Sequence, residues 1–266
     1  MSESSYRARE FGAEYVRSEV AAESPRAAAA AAPSLKAPPN IGAPEVPAYL
    51  NDVYWWAYVH PNGLRVFERQ WLVNAILWGN YRLLRDAALD ALGQSLPGRT
   101  LQIGCAYGDV TRELWGRAKA GGGRLDVVDV LPIQLENLRK KLPSDAAVGR
   151  LLMDSSALKI PDASVDRVML FLLLHEQPDA WRRKTVSEAL RVLKPGGRIV
   201  LVDYARPRWW NPMRYLFGPI LNKLEPFALE LWRKDITTWM PEPWASRTWE
   251  RRSYFGGLYQ FIVIER

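Results

Sequence analysis

The sequence predicts an α/β fold: a doubly wound, mostly parallel seven-stranded sheet that ends in an antiparallel hairpin and is preceded by a helical lid. Three observations carry this expectation. Short apolar runs alternate with helix-patterned runs between residues 99 and 204. The first apolar run, Leu101–Cys105, passes through a glycine turn into a helix-like segment starting at Val110. A strand, a glycine turn and a helix N-terminus together suit a nucleotide-like ligand, because glycine admits close backbone approach and the first helical turn has unpaired N–H groups. The chain then closes with Thr248–Phe255 and Leu258–Glu265 around Gly256-Gly257, a hairpin signal.

The elements follow in order. Residues 1–48 hold six consecutive alanines, Ala27 to Ala32, then five prolines from Pro33 to Pro47, and few large apolar residues. They read as a disordered tail. Glu3, Glu10, Glu14, Glu19 and Glu23 argue against a transit peptide. Residues 49–266 read as one catalytic domain. Its first part, 49–92, is a helical lid rich in Tyr and Trp, with apolar residues from Val66 to Trp78 at helical spacing. Strand one is Leu101–Cys105 and the helix after it runs from Val110 to Lys119. Strand two, Arg124 to Val130, carries Asp129 near its end. A helix from Pro132 to Leu142 has proline near its first turn. Strand three, Leu151–Met153, ends at Asp154. Val168–Leu174 is a continuous apolar run, as expected of a strand buried on both faces. The helix Ala180 to Leu193 stops at Pro195-Gly196-Gly197. Strand five, Ile199–Val202, ends at Asp203-Tyr204. One long helical region is expected from about Pro212 to Trp232.

In such a fold the ligand crevice lies at the carboxyl ends of the strands. That rule gathers Tyr107, Asp109, Asp129, Asp154, His175, Glu176, Asp203 and Tyr204. Asp129, about twenty residues after the glycine turn, is placed to accept hydrogen bonds from ribose hydroxyls. Asp154 would suit an adenine amino group. His175-Glu176 ends the central strand and so faces the crevice. Asp109 also suits a helix N-terminus on dipole grounds alone. Asp109, His175 and Glu176 are donors suited to a divalent ion, though no spacing demands one. Arg182, Arg183 and Lys184 read as a solvated helix face.

The glycine turn has neither the G-x-G-x-x-G of a dinucleotide site nor the Lys-Ser/Thr of a P-loop. Gly104-Cys105-Ala106-Tyr107-Gly108-Asp109 instead resembles motif I of the class I S-adenosylmethionine-dependent methyltransferases. Gln102, Gly104, Gly108, Asp129 and Asp154 are the cofactor-binding candidates on this resemblance. The sequence departs from the motif at three points. Gln102 stands where an acid is usual, Ala106 where the middle glycine is usual, and Tyr107 where a small residue is usual.

The chain has 266 residues, 12 Trp, 48% hydrophobic residues and a net charge of +7. This is enough for one sizeable core, and the basic balance favours anionic partners, nucleic acid or anionic lipid among them. Cys105 is the single cysteine, so no intramolecular disulfide framework exists and a reducing compartment is expected. No apolar run approaches the roughly 18–20 residues that span a bilayer. Between Arg206 and Arg252 nine Arg or Lys stand against five acids, interleaved with Trp209, Trp210, Trp232, Trp239, Trp244 and Trp249. Trp with Arg fits a membrane–water interface or base stacking. The apolar faces of residues 212–232 favour lipid, and no nucleic acid is expected.

From about residue 49 onward the chain resembles the rhodoquinone biosynthesis methyltransferase-like family. The segments that carry the resemblance include Tyr54-Trp55-Trp56-Ala57-Tyr58, Phe67-Glu68-Arg69-Gln70-Trp71, Tyr107-Gly108-Asp109, Leu173-Leu174-His175-Glu176-Gln177-Pro178 and Leu224-Glu225-Pro226-Phe227-Ala228-Leu229. The resemblance implies conversion of ubiquinone to rhodoquinone, with a ring methoxy group replaced by an amino group. S-adenosylmethionine would be the nitrogen donor and a divalent ion, preferentially manganese, would assist. It further implies a peripheral enzyme at the cytoplasmic face of the inner membrane, or at the mitochondrial inner membrane in a eukaryote. Tyr107, Asp109, His175 and Glu176 are its catalytic candidates. An uncharged Gln102 would leave the cofactor amine free to lose its proton, as a nucleophile must. A conventional quinone methyltransferase and a non-catalytic membrane scaffold remain as alternatives.

Overall fold

The computed structural model describes residues 44–247 and 249–266. The expected tail therefore lies outside the described residues up to residue 43. Seven strands form one sheet: β1 (Arg99–Ile103), β2 (Arg124–Asp129), β3 (Val148–Leu152), β4 (Val165–Phe171), β5 (Leu193–Tyr204), β6 (Glu250–Tyr254) and β7 (Tyr259–Glu265). Their order is β3-β2-β1-β4-β5-β7-β6. The first five pair in parallel, and β7 runs antiparallel to both β5 and β6. The chain works outward from β1 to β3 and then returns to lay β4 on the other side of β1. The crevice therefore opens at the carboxyl ends of β1 and β4.

Burial explains the apolar strands. In β4, Val168, Met169, Leu170 and Phe171 are all buried, alternating between the two faces as the pleat requires. Met169 and Phe171 pack with Leu84, Leu89 and Leu114 on one side. Val168 and Leu170 pack with Val186, Leu190 and Trp239 on the other. The helices supplying these covers are α4 (Tyr81–Leu92), α5 (Val110–Ala120), α6 (Pro132–Lys141) and α7 (Asp179–Val192). Before them the lid comprises α1 (Ala48–Asp52), a π-helical turn Trp55–Val59, α2 (Pro61–Phe67) and α3 (Gln70–Ile76). Hence the helical lid is present, but as short pieces broken at Pro61 and Gly79.

Four other expectations are corrected. The central strand ends at Phe171, three residues early, because Leu172 turns to φ 54° and Leu174–Glu176 forms a 3-10 turn. This lifts His175 and Glu176 off the strand onto the crevice floor. Pro195-Gly196-Gly197 does not separate helix from strand: β5 already begins at Leu193 and bulges there, since proline cannot donate to the ladder. The long helical region is two helices, α8 (Met213–Leu224) and α9 (Ala228–Arg233), parted at Glu225-Pro226. Proline clashes with a helical predecessor, and Glu225 sits at φ −137° and ψ 60°. Arg182 is no solvated residue. It is fully buried, donating to the carbonyls of Leu174, Gln177 and Phe227 and to Glu230.

Candidate active site

Two hollows meet at the strand ends. The first is a cleft lined by Gly104, Cys105, Asp129, Leu131, Asp154 and Ser155, among others, with Tyr49 and Leu50 of the lid across it. Gly104 has φ +86°, and a Cβ there would come within 3.0 Å of Leu173, so the turn needs glycine twice over. The Asp129 carboxylate accepts from the amides of Cys105 at 2.8 Å and Leu131 at 2.9 Å. Burial raises its pKa against these hydrogen bonds. Asp154 accepts from the Ser156 amide at 2.7 Å and the Trp181 indole at 3.3 Å.

The second hollow is an apolar cavity of about 430 Å³, open to solvent, walled by Phe67, Leu77, Phe171, Phe217 and Leu221. Tyr58, Cys105, Phe171, Leu172 and Glu176 line both hollows and form their common wall. Tyr107 also lines the cavity. Its ring stacks on Tyr58 at 5.5 Å and on Phe67 at 6.0 Å, and its hydroxyl donates to the Ala57 carbonyl at 2.6 Å. The large residue in the motif thus fastens the lid to the glycine turn.

Polar groups converge at one end of this cavity. His175 is buried, with Nδ1 2.9 Å from Asp203 Oδ1. Asp203 Oδ2 accepts from the amides of Leu174 at 2.7 Å and His175 at 3.3 Å. The other ring nitrogen, Nε2, stands 3.8 Å from Glu176 Oε1 and 3.9 Å from Glu225 Oε2, too far to hydrogen-bond either. Glu225 Oε2 and the Tyr54 hydroxyl are buried beside each other, without a well-formed hydrogen bond among the described residues. Tyr58 donates to Glu176. Burial alone would lower the His175 pKa, but Asp203, then Glu225 and Glu176, outweigh it and carry it up to about 9. Burial pushes Glu176 up to about 8 despite His175 beside it, and likewise raises Glu225. Three groups of raised pKa thus face an apolar space.

The structure brings together Gly104, Asp129 and Asp154 in the cleft, and Tyr107, His175 and Glu176 in the cavity. It leaves out Asp109, which faces α4: Arg85 donates to it at 2.7 Å and Tyr81 at 3.1 Å. Burial works against it, yet Arg85 holds its carboxyl below the usual range. Gly108, at φ +80°, packs on the Tyr81 hydroxyl, 2.5 Å from where a Cβ would stand. Gln102 is fully buried and does not line the cleft; its amide donates to the Gly104 carbonyl at 2.9 Å. It braces the glycine turn from behind. The expected metal set of Asp109, His175 and Glu176 does not assemble, because Asp109 is spent on Arg85. Among the described residues no group of three or more His, Cys, Asp or Glu is arranged to hold a metal ion. Glu225 and Tyr54 were missed as site residues. The Glu-Pro break at the end of α8 was the available signal for Glu225.

A seven-stranded sheet of this order, with its cleft beside Gly104, Asp129 and Asp154, has the class I methyltransferase fold. Residues 100–197 match a family described as a methyltransferase domain. The chain is similar to a demethylmenaquinone methyltransferase of Clavibacter sepedonicus, 29% identical over 189 residues, covering 68% of this chain and 74% of that one. It is 26% identical over 161 residues to a ubiquinone/menaquinone biosynthesis C-methyltransferase of Cronobacter sakazakii, covering 59% and 62%. To a 2-methyl-6-phytyl-1,4-hydroquinone methyltransferase of Synechocystis it is 31% identical over 130 residues, covering 48% and 39%. The latter two matches span less than two thirds of those relatives. Residues 100–197 are thus similar to a methyltransferase domain, for which S-adenosylmethionine is the expected cofactor.

The cleft fits that cofactor. A carboxylate has about four lone-pair sites, and Asp129 uses two on backbone amides. Two remain for ribose hydroxyls, with the carboxylate already oriented by the chain. Gly104 and Cys105 offer backbone close to the cleft floor, and Asp154 lies further along its wall.

Proposed function

We propose that this protein is an S-adenosylmethionine-dependent transferase that modifies the ring of an isoprenoid quinone at a membrane surface. The observation that carries this reading is the polar end of the apolar cavity, where His175 Nε2 faces Glu176 and Glu225 at 3.8 and 3.9 Å without a hydrogen bond to either. A flat ring with an oxygen at its edge would supply the missing partner, and an isoprenoid tail would suit the apolar walls. The common wall at Tyr58 and Glu176 sets such a ring beside the cofactor cleft.

Methyl transfer to a ring carbon is the reading that the relatives support, since each is named for a quinone or hydroquinone substrate. When bound, S-adenosylmethionine supplies an electrophilic methyl group on a sulfonium. The chain's own part is to hold the ring oxygen at His175 Nε2, to keep water out with the lid, and to move one proton at that atom. Asp203 fixes the imidazole through Nδ1, which leaves Nε2 as the working nitrogen.

A second reading is favoured by the charge state of the cluster. Carbon methylation wants an electron-rich ring, and therefore a base at the ring oxygen. Here Asp203, ahead of Glu225 and Glu176, raises the imidazole pKa against its burial, which favours the protonated ring. An N–H donor on a quinone carbonyl withdraws electrons from the ring and prepares it for a nucleophile. That fits replacement of the methoxy group of ubiquinone, which would leave as methanol with the proton the nitrogen gives up, by an amino group, giving rhodoquinone, with S-adenosylmethionine as the nitrogen donor and hydrolysis of its Cα–N bond freeing the amino group.

The test is product mass. Purified protein is given S-adenosylmethionine with ubiquinone in one arm and a demethylated hydroquinone precursor in another. A methyl gained by the precursor supports the first reading. Methoxy exchanged for amino on ubiquinone, carrying heavy nitrogen from labelled cofactor, supports the second. Tight cofactor binding with neither product would sink both and leave the scaffold alternative.

A further inference from the structure

Positive charge gathers in the groove between α8 and α9 and is not compensated there. Along α8, Arg214, Gly218 and Asn222 recur at every fourth residue and so share one face. Arg233 ends α9, and Arg206 enters from the loop after β5. These residues line one hollow of about 500 Å³, with Trp232 on its wall. Arg206 and Arg233 are exposed and Arg214 is half-buried. Among the described residues none of the three guanidinium groups pairs with a carboxylate.

The nearby acids are spent elsewhere. Asp235 takes both arms of Arg251 at 2.7 and 2.9 Å. Glu230 pairs with the buried Arg182 at 3.0 Å, and Glu225 faces the cavity. Three converging cations thus repel one another with only mobile counter-ions to relieve them. Gly218 leaves the centre of the groove open, since a Cβ there would meet nothing within 4 Å.

The roughly opposite face of α8 is apolar and exposed: Leu216, Ile220 and Leu224, again four residues apart, with Trp209, Trp210 and Tyr215 at its start. Ile220 and Leu224 also rim the apolar cavity. Passing around α8, one meets an anion-seeking groove, then an apolar stripe, then the cavity mouth. An anionic phospholipid has the same sequence of chemistry, a phosphate followed by acyl chain.

We propose that Arg206, Arg214 and Arg233 form a binding site for the phosphate of an anionic lipid headgroup, seating the apolar stripe of α8 in the acyl layer with the cavity mouth toward the bilayer. Guanidinium groups match phosphate oxygens two at a time, and the Trp and Tyr residues suit the interfacial layer. The site goes beyond the quinone reading and stands without it, because its test needs no turnover.

The test uses the full chain and sedimentation with vesicles of phosphatidylcholine alone or mixed with phosphatidylglycerol, at low salt. The triple variant Arg206→Gln, Arg214→Gln, Arg233→Gln should bind the anionic vesicles on the order of a hundredfold more weakly. A charge-matched control, Lys119→Gln, Arg139→Gln, Lys140→Gln, removes three exposed cations from α5 and α6, which pack on the β2–β3 edge. It should stay within roughly threefold of the parent, because charges far from the contact are screened beyond a Debye length. Arg206 and Arg233 make no side-chain hydrogen bond among the described residues, so the double variant Arg206→Gln, Arg233→Gln keeps the fold and should already lose on the order of tenfold. Equal weakening of triple variant and control would overturn the proposal, as would a parent protein that ignores anionic vesicles. Stabilisation of the parent by glycerol phosphate in solution, with vesicle binding indifferent to the arginines, would assign the groove to a soluble phosphate instead.

Discussion

Replacing Asp203 by asparagine should remove most of what holds His175 charged, and the loss should depend on pH in a defined direction. Asp203 is 1% exposed. One of its oxygens meets His175 Nδ1 at 2.9 Å and the Tyr204 amide at 2.7 Å; the other meets the amides of Leu174 and His175. Asparagine offers one acceptor and one donor, so whichever way it turns its NH2 faces donors. That mismatch costs about 1–3 kcal/mol at any pH. A second part comes from the imidazole. Its pKa in the folded chain is raised to about 9 from the ordinary 6.5 of a histidine. Such a rise corresponds to about 3 kcal/mol of stability at most, since Glu225 and Glu176 supply some of it. Because the folded value is the higher one, this part is fully present below pH 6.5 and is lost as pH rises through 9. The variant should therefore fall further short of the parent at pH 6, by up to about 6 kcal/mol, than at pH 10, where about 1–3 kcal/mol remains. Urea unfolding at the two pH values gives the stabilities. The chain has two histidines, so the His175 imidazole is assigned in NMR spectra by deleting His60, and its titration midpoint is read directly. An equal loss at both pH values, or a variant in which His175 still titrates near 9, would refute the coupling.

Three other predictions follow from the same contacts. Asp129→Ala should weaken S-adenosylmethionine binding by about 1.5–3 kcal/mol, the range for hydrogen bonds to a charged group; unchanged affinity in calorimetry would remove Asp129 from the cofactor site. Gln102→Glu should destabilise the protein by about 1–3 kcal/mol, because a carboxyl oxygen would then oppose the Gly104 carbonyl that Gln102 now satisfies. A normal urea midpoint with slowed turnover would instead restore the view that Gln102 acts on the cofactor amine. Arg182→Met should cost about 3–5 kcal/mol, as expected when one partner leaves a buried charged network. It should also shift the His175 imidazole resonances, since Arg182 bonds the carbonyls that bracket the Leu174–Gln177 turn; an unmoved His175 signal would separate Arg182 from the site.

The sequence by itself determined the sheet and the place of Gly104 and Asp129 at the strand ends. Alternating apolar and amphipathic runs are local signals, and the pleat and the helical repeat translate them directly into strands and helices. Gly104 and Asp129 were legible because the turn after the first strand imposes a backbone requirement at the one, and the end of the second strand fixes the place of the other. The Gly-Gly hairpin was legible for the same reason. The tertiary structure decided the cavity. Asp109 and His175 both follow parallel strands, yet Arg85 on α4 claims the first, and sequence distance gives no sign of that. Arg182 reads as a surface residue until α9 and Trp239 close over it, its guanidinium 4.4 Å from that ring. Glu225 joins His175 across 50 positions because Pro226 ends α8 at that point and folds the chain back beneath the cavity. Such pairings depend on which elements pack together. Packing is a property of the whole assembled core, so no window of the sequence contains it.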